Sequence, residues 1–349
     1  MERIVIIGAG IVGLHIAHEL HRKGYDVFVL EKEPYLAEGT SGRNTGVIHA
    51  GVFYTPNSFK ETICLEGNRL TYEWLATLKV PYNPCGKWII PFKGQENDLD
   101  AFYEKVSALP NVKPEFVKGD LLKEKEPQLL QSRALFIPST GVLDAASYVK
   151  ALAIYVENKG VAITKNCLVT EINEHKMQTS RGEIDFDLAI NAAGLYSDTF
   201  AHLNGLQDYS IKPCRGDYYI VNKTLLQKPV YHLPQKEALG LGLHLTPTLD
   251  GQTLIGPNAF FIDNKEDYTH RSDAENFYNS LAFHLTGVKK EQLTPAYSGN
   301  RPKLFKNNKP HPEFTIIQKD NWIHLLGIES PGLTAAPALG RHVASMASA

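Results

Sequence analysis

The sequence predicts an α/β protein in which a doubly wound, Rossmann-type domain is interleaved with a mainly antiparallel β domain of the α+β type. Two observations lead to this prediction. Residues 4–31 have the order strand, glycine-rich turn, helix, strand, which is the βαβ unit of doubly wound sheets. Residues 211–256 instead alternate apolar and polar side chains between turn-forming residues, a pattern typical of an antiparallel sheet with one solvated face.

The predicted elements follow from the periodicity of the apolar residues. Residues 4–7 are apolar and branched, as in a parallel strand buried on both faces. Leu14, Ala17 and Leu20 share one face of a helix that starts near residue 11 and ends at Gly24. The same periodicity predicts helices at 59–78, 145–158, 274–284 and 332–345, and strands at 27–31, 88–92, 162–173, 187–192 and 322–326.

We predict that these elements form two interleaved domains. A chain of 349 residues is long enough for one large core or for two packed domains. The nucleotide-binding domain is predicted to combine residues 1–78, 140–205 and 310–349. The substrate-binding domain is predicted to combine residues 79–139 and 206–309.

Composition and charge disfavour several classes of function. Lys and Arg number 36 and Asp and Glu 38, so the net charge is -2, whereas a nucleic-acid partner would favour a basic surface. The first apolar run, residues 4–14, is short and is interrupted by three glycines, so we predict no integral membrane segment. A cytoplasmic location is expected, with peripheral membrane association as an alternative.

The four cysteines lack metal-binding spacing, so we predict reduced thiols and no metal site.

The glycine-rich turn predicts a dinucleotide site. Residues 8–13 read GAGIVG, in which Gly8 permits the turn, Gly10 lets backbone N–H groups approach a pyrophosphate, and Gly13 lets the helix pack on the strand. The helix start at Ile11 and Val12 adds partial positive charge that favours an anion.

An acidic residue at the end of the next strand supports the same interpretation. Glu31 follows Gly13 by 18 residues and precedes Lys32. A carboxylate at this position can accept hydrogen bonds from both ribose hydroxyls and repels a 2′-phosphate, which disfavours NADP. The motif alone leaves FAD and NAD open.

Residues 40–51 read TSGRNTGVIHAG, and this segment resembles the D-amino-acid-oxidase-like superfamily of FAD enzymes. The most similar family is that of the L-2-hydroxyglutarate dehydrogenases and oxidases. The resemblance recurs along nearly the whole chain, in CGK at 85–87, TGVLD at 140–144, NAAGLYSD at 191–198, RGDY at 215–218, GLHLTP at 242–247, GPNA at 256–259 and GIESPGLT at 327–334. It implies that the cofactor is FAD rather than NAD.

The resemblance also implies which residues would contact FAD. The loop 40–46 would cross the pyrophosphate and the flavin, and Val169 would meet the adenine through its backbone. The start of the last helix would face the flavin pyrimidine edge, where backbone donors stabilise the negative charge that develops as N5 accepts a hydride. Beyond the glycine turn and Glu31, the implied contacts are Lys32, Thr40, Ser41, Arg43, Asn44, Thr45, Gly46, Val47, His49, Val169, Ala193, Gly194, Arg301, Gly327, Pro331, Gly332, Leu333 and Thr334.

Two arginines are candidate anchors for a substrate carboxylate. Arg301 precedes Pro302 and resembles the Arg-Pro element that holds the carboxylate in the superfamily. Its planar guanidinium can form two parallel bonds with a carboxylate, and the alternative is a surface arginine in a proline-rich loop. Arg215 is the second candidate, for a distal carboxylate, and its alternative role is an ion pair with Asp217 or another acid.

Two histidines are candidates for the base that accepts a hydroxyl proton. His49 lies in the flavin-contact loop and His244 in the predicted substrate sheet, and imidazole titrates near working pH. We favour His244. Some relatives attach FAD covalently through a histidine in a similar context, which is an alternative role for His49. Tyr54 and Tyr231 are candidates for orienting substrate, with aromatic packing as the alternative.

These residues lead to a functional hypothesis with three alternatives. The chain is predicted to oxidise a small 2-hydroxy acid, L-2-hydroxyglutarate to 2-oxoglutarate, by hydride transfer to flavin N5. An amino-acid or amine oxidase similar to glycine oxidase is the first alternative, because Pro302 follows Arg301 and the stretch 257–301 is short. A flavin-fold binding module without turnover and an NAD dehydrogenase are the others. The electron acceptor is left open among oxygen, a quinone and a carrier protein.

Overall fold

The computed structural model describes residues 2–92, 94–234, 242–282 and 285–347, so the last two residues of the predicted helix 274–284 lie outside the described residues. The helices are α1 Ile11–Arg22, α2 Phe59–Leu78, α3 Glu96–Ser107, α4 Asp120–Lys125, α5 Ala145–Glu157, α6 Ser197–Leu203, α7 Ala274–Ala282 and α8 Gly332–Met346. The strands are β1 Arg3–Ile7, β2 Asp26–Leu30, β3 Val47–Ile48, β4 Tyr82–Asn83, β5 Lys87–Ile90, β6 Glu115–Lys118, β7 Arg133–Ile137, β8 Gly141–Leu143, β9 Ala162–Thr164, β10 Val169–Asn173, β11 Lys176–Thr179, β12 Gly182–Asp185, β13 Leu188–Asn191, β14 Tyr209–Val221, β15 Val230–His232, β16 Leu245–Pro247, β17 Thr253–Ile255, β18 Phe260–Phe261, β19 Thr294–Lys306, β20 Lys309–Pro310, β21 Thr315–Lys319 and β22 Trp322–Leu326.

The first large sheet has six strands in the order β21-β22-β13-β1-β2-β9. All neighbours run parallel except β21, which is antiparallel to β22 at one edge. On one face of the central strand β1, Ile4 and Ile6 pack with α1 and α5. On the other face, Val5 and Ile7 pack with Met177 of the small sheet β10-β11-β12. Because both faces are covered, β1 is an uninterrupted apolar run.

The second large sheet has ten strands, nine of them in the order β20-β19-β14-β17-β16-β15-β5-β7-β6, with β18 paired to β14. Its pairs are antiparallel apart from β15 and β5, which run parallel. The two longest strands, β14 and β19, pair along most of their length and bring Cys214 opposite Arg301. Strand β15 carries Tyr231, opposite Ile89 of β5. The sheet therefore places side chains from distant parts of the chain on one surface.

The predicted α/β fold is confirmed, including the antiparallel character of the second sheet. The predicted bounds of helix 59–78 are those of α2. The prediction of a single strand at 162–173 was wrong. The chain leaves β9 at Thr164, turns at Asn166 with φ +51°, and enters β10 in a different sheet. The apolar residues Cys167 and Leu168 mask this turn in the sequence pattern.

The strands of the two large sheets come from separate segments of the sequence, as two interleaved domains would require. Strands of the six-stranded sheet fall within residues 1–78, 140–205 and 310–349, and those of the ten-stranded sheet fall within 79–139 and 206–310. A division into domains at these boundaries stays a prediction. None of the helices in the described ranges has both the length and the hydropathy needed to cross a membrane.

Helix α2 packs closely against the first turn of α8. A Cβ atom added at Gly67 would lie 2.7 Å from the Cα of Ala335 and would overlap the carbonyl oxygen of Thr334. The hydroxyl of Thr71 donates a hydrogen bond of 3.0 Å to that same carbonyl. Helix α2 therefore holds the start of α8 in a fixed position, which matters because this start lines the cavity described below.

We expect Gly67→Ala to destabilise the protein by about 1–3 kcal/mol, because the added methyl must push two helices apart. Denaturant unfolding followed by circular dichroism measures the effect. Gly39→Ala is the control, since a Cβ there meets no atom within 4 Å and stability should stay unchanged. Equal unfolding midpoints for Gly67→Ala and the parent protein would contradict the expected contact.

Candidate active site

A cavity of about 460 Å³ is lined by residues of both large sheets and their connections. This volume is typical of sites that bind small molecules and cofactors. One wall comes from the glycine turn and the loop 40–47, and a second from the start of α8. Tyr231, His244 and Arg301 contribute a third wall from the ten-stranded sheet and its connections.

The glycine turn has the close backbone contacts that the motif predicts. Gly8 has φ +107°, and a Cβ there would lie 2.6 Å from the carbonyl oxygen of Ala192. A Cβ at Gly13 would overlap the carbonyl oxygen of Gly8. The start of α1 consequently sits directly on the end of β1 and lines the cavity, where its N–H groups and dipole favour an anion.

Two side chains hold the glycine turn from either side. The carboxylate of Glu31 accepts hydrogen bonds from the backbone N–H groups of Ala9 at 2.9 Å and Glu33 at 3.0 Å. The hydroxyl oxygen of Ser41 accepts one from Ile11 at 3.1 Å. Glu31 thus ties the turn to the end of β2, and Ser41 ties it to the loop 40–47.

The loop 40–47 is shaped mainly by Asn44. Its amide nitrogen donates to the carbonyls of Thr40 at 3.1 Å and Ser41 at 2.8 Å, and its amide oxygen accepts from Gly46 at 2.8 Å. The hydroxyl of Tyr297 donates to the carbonyl of Asn44 at 2.6 Å. The Asn44 side chain therefore helps to build the loop, and Asn44 itself lines the cavity.

The start of α8 is bonded to the segment that carries His49. The backbone N–H of His49 donates to the hydroxyl oxygen of Thr334 at 2.9 Å. Pro331, Gly332 and Leu333 line the cavity directly, whereas Thr334 is fully buried behind them. The start of α8 therefore forms part of the cavity wall.

Several predicted cofactor contacts lie outside the cavity wall. Lys32 pairs with Glu33 at 2.8 Å and with Glu266 at 2.5 Å, so its ammonium is engaged at the surface. Val169 begins β10 and packs beside the cluster of Val5 and Ile7. The others that do not line the cavity are Gly8, Glu31, Ala193, Gly327 and Thr334, which support residues that do.

His244 has a proton-accepting nitrogen. Its Nδ1 lies 3.0 Å from the carbonyl oxygen of Gly242. Because a carbonyl oxygen can only accept a hydrogen bond, Nδ1 carries the ring proton and Nε2 keeps its lone pair. The hydroxyl of Thr45 lies 3.5 Å from Nε2. Burial lowers the pKa of His244 to about 3, and the charges of Arg301 and Lys87 act in the same direction. The ring is therefore neutral at ordinary pH.

Aromatic contacts fix the two histidines relative to one another. The ring of Tyr231 stacks on His244 with centroids 4.1 Å apart and meets the edge of His49 at 6.4 Å. Nε2 of His49 lies 3.2 Å from the hydroxyl of Ser330, and Nδ1 is buried without a hydrogen-bond partner among the described residues. Burial lowers the pKa of His49 well below its usual value. Both His49 and Tyr54 line the same cavity.

Arg301 and Arg215 have different surroundings. Arg301 lines the cavity and donates to the carbonyls of Asn258 at 3.2 Å and Cys214 at 3.5 Å, and no acidic side chain pairs with it in the described part of the chain. Arg215 is 1% exposed and pairs with Asp217 at 3.4 Å and Asp267 at 3.2 Å. It does not line the cavity, so the structure gives Arg215 the alternative role of an ion pair inside the sheet.

Comparison with known proteins agrees with this geometry. The family model described as FAD dependent oxidoreductase matches residues 3–346. The chain belongs to this family of FAD-dependent oxidoreductases. L-2-hydroxyglutarate dehydrogenase of Escherichia coli K12 is 30% identical over 392 residues, covering 99% of this chain and 93% of that protein. The mitochondrial L-2-hydroxyglutarate dehydrogenase of Arabidopsis thaliana is 30% identical over 410 residues, covering 99% and 83%.

Solved structures of other flavoenzymes have the same fold. Dithionite-reduced L-α-glycerophosphate oxidase from Mycoplasma pneumoniae with FAD bound superposes with a TM-score of 0.88 at 25% identity, covering 100% of this chain and 96% of that one. Glycine oxidase from Geobacillus kaustophilus superposes with a TM-score of 0.85 at 20% identity, covering 100% and 95%. These findings confirm the predicted resemblance and the predicted FAD cofactor.

The residues of the cavity fit FAD. The start of α1 would hold the pyrophosphate, and the start of α8 would face the flavin, because each offers backbone donors and a positive helix end to an electron-rich group. Gly10, which lines the cavity between them, has no side chain to fill that space. With FAD held between the two helix starts, the third wall of the cavity would remain for substrate.

Sequence analysis did not single out several residues near that third wall. Lys87 is fully buried, and its ammonium lies over the rings of Phe53 and Tyr231. Lys60 and Lys303 line the cavity, and both pair with Glu329, at 3.2 Å and 2.8 Å. In the sequence, Lys87 directly precedes the apolar run WII on a strand, and this local pattern does not show that the lysine is buried.

We expect Glu31→Gln to weaken FAD binding about tenfold, or about 1.4 kcal/mol, because the glycine turn loses the charged acceptor that holds it to the end of β2. Titration of cofactor-stripped protein with FAD, followed by flavin fluorescence, measures the affinity. Glu33→Gln is the matched control, since its carboxylate pairs only with Lys32 among the described residues. Unchanged FAD affinity in Glu31→Gln would argue against this role.

Proposed function

We propose that this FAD-dependent oxidoreductase oxidises a small 2-hydroxy acid, and specifically L-2-hydroxyglutarate to 2-oxoglutarate. The observation that carries the proposal is that one cavity holds Arg301, a cation without an acidic partner among the described residues, and His244, a neutral proton acceptor. A 2-hydroxy acid presents the two matching groups, a carboxylate and a hydroxyl. The relatives named L-2-hydroxyglutarate dehydrogenase support this choice of substrate.

Arg301 is proposed to bind and orient the substrate carboxylate. The carbonyls of Asn258 and Cys214 each take one of its terminal nitrogens, so the guanidinium plane is held before substrate arrives. A preformed planar donor loses little conformational freedom when it pairs with a carboxylate. This fixed geometry would set the position of the adjacent carbon, whose hydride is transferred.

His244 is proposed to accept the hydroxyl proton at Nε2. The ring is held by its Nδ1–H bond to Gly242 and by stacking on Tyr231. Because the charge of Arg301 disfavours a protonated ring, a bound carboxylate that neutralises Arg301 makes His244 a stronger base. Binding of the correct substrate would therefore activate the base. Bound FAD supplies the acceptor for the hydride.

His49, whose ring also contacts that of Tyr231, is proposed to assist. Its hydrogen bond with Ser330 joins it to the segment that starts α8, and its neutral ring can share the proton released by the substrate. An amine oxidase would have less need of these groups, because an amine substrate that is already neutral brings no hydroxyl proton to remove. The double variant of His49 and His244 therefore separates the two chemistries.

Anaerobic mixing with L-2-hydroxyglutarate should bleach the flavin absorbance of the purified protein. Arg301→Met should lower the second-order rate of bleaching about 100-fold through loss of the carboxylate contact. Arg271→Met, a change to an exposed arginine paired with Asp267, should leave the rate unchanged. Bleaching by an amino acid but not by L-2-hydroxyglutarate would replace the proposal with amine oxidation.

The pH profile of kcat/KM should lack an acid limb near the ordinary histidine pKa of about 6.5. His244 accepts a proton only in its neutral form, and with a pKa of about 3 that form persists as the pH falls from 8 to 5. His244→Gln should lower kcat/KM by about 100-fold or more. A loss of parent activity centred near pH 6.5 would show that a histidine with an unshifted pKa is the base.

A further inference from the structure

The side chain of Lys87 is buried without the partners that a buried charge needs. Its exposure is 0%, and its ammonium forms no hydrogen bond with any residue that the structure describes. Neither does an acidic side chain pair with it in the described ranges. A buried ammonium in such surroundings costs several kcal/mol in general, so its presence calls for an explanation beyond packing.

Lys87 lies directly behind the wall of the candidate active site. Its Nζ is 4.1 Å from the ring centre of Phe53 and 4.8 Å from that of Tyr231, and both rings line the cavity. Along β5, the neighbouring side chain Trp88 packs into the core on the opposite side of the sheet. Strand alternation therefore directs Lys87 toward the substrate side.

Charge pairing distinguishes Lys87 from the other cations near the cavity. Lys60 and Lys303 share the carboxylate of Glu329, whereas Arg301 and Lys87 have no acidic partner in the described part of the chain. The charges of Arg301 and Lys87 both lower the pKa of His244, so the proposed base lies within electrostatic reach of both. Two unpaired cations around one base match a substrate with two carboxylates.

We propose that Lys87 binds the distal carboxylate of a 2-hydroxy dicarboxylic acid whose other carboxylate is bound by Arg301. The inference rests on the proposed function and adds a determinant of specificity to it. When substrate binds, the side chain of Lys87 changes rotamer, so that its ammonium moves from the faces of the Phe53 and Tyr231 rings to their edges. There it pairs with the distal carboxylate. Monocarboxylic 2-hydroxy acids offer no anion there and leave the ammonium buried and unpaired.

The protonation of Lys87 is consistent with this role. Burial lowers the pKa of Lys87 to about 7, so the empty site holds the charge weakly. An anionic ligand favours the charged form of a neighbouring amine, and a carboxylate that enters the cavity would restore the ammonium. The contacts with Phe53 and Tyr231 partly stabilise the cation until then.

The test compares two substrates that differ only in the distal carboxylate, L-2-hydroxyglutarate and L-2-hydroxyvalerate. For Lys87→Met we expect kcat/KM for L-2-hydroxyglutarate to fall about 100-fold and kcat/KM for L-2-hydroxyvalerate to stay within about twofold. Lys228→Met is the matched control, because Lys228 also lies over an aromatic ring, at 5.9 Å from that of Trp88, but the ring of Trp88 does not line the cavity. It should leave both values unchanged.

A binding experiment separates failure of this inference from failure of the proposed function. Glutarate and pentanoate carry no hydroxyl, and their binding is measured by the change in the flavin absorption spectrum. Tighter binding of glutarate that Lys87→Met abolishes supports the inference even if neither hydroxy acid is oxidised. Normal oxidation of L-2-hydroxyglutarate by Lys87→Met overturns the inference and leaves the proposed function standing.

An equal loss for both substrates would also overturn the inference, because it would mean that Lys87 acts through the histidines or the fold. Thermal unfolding at pH 7 checks the fold directly. We expect Lys87→Met to have a higher Tm than the parent protein, since the variant removes a buried unpaired charge. Lys87→Gln, which keeps a polar side chain without the charge, is the second variant and should lose the same substrate preference.

Discussion

The site depends on the close approach of backbones around glycine. At Gly13 and Gly67 any side chain would overlap a carbonyl oxygen, so helix α1 can rest on β1 and helix α8 can rest on α2. These two contacts aim two helix starts at one cavity. Positive helix ends and free backbone donors are then available without any charged side chain, and the proposed catalytic groups can occupy the remaining wall.

The remaining wall, which contains Tyr231, His244 and Arg301, has low polarity and few charged groups. Burial keeps His244 neutral, stacking on Tyr231 holds its ring, and the hydrogen bond to Gly242 determines which nitrogen can accept a proton. In such surroundings a single unpaired cation has a long reach. Arg301 and Lys87 can therefore influence both substrate position and the strength of the base, whereas Lys60 and Lys303 are already bound to the carboxylate of Glu329.

The parts of the fold that the sequence predicts well are those in which one local pattern determines the structure. Residues 4–31 contain both their periodicity and their turn, and helix 59–78 has an apolar stripe with a serine cap whose hydroxyl accepts from Glu61. The strand break at Asn166 could not be predicted, because the residues after it are apolar. The ion pair between Arg215 and Asp267 joins side chains 52 positions apart in the sequence. No local pattern therefore shows whether Arg215 or Arg301 will pair with an acidic side chain.

The same limit applies to the candidate site. Its glycine turn, its 40–47 loop and the α8 start are contiguous motifs, so their presence at one cavity could be expected from the sequence. Lys87 could not be assigned in this way, since its burial results from the parallel pairing of β5 with β15 and from the rings of Phe53 and Tyr231. A position in a sheet, rather than a spacing in the chain, determines its surroundings.

The walls of the cavity come from segments as far apart as residues 10–13 and 331–333. During synthesis on a ribosome the glycine turn emerges long before α8 exists, and the groove is open on that side until α8 packs against α1 and α2. Complete enclosure of FAD is for this reason a late event in the maturation of the chain. A nascent chain interrupted before α8 would carry an exposed, apolar groove, which is the kind of surface that chaperones recognise.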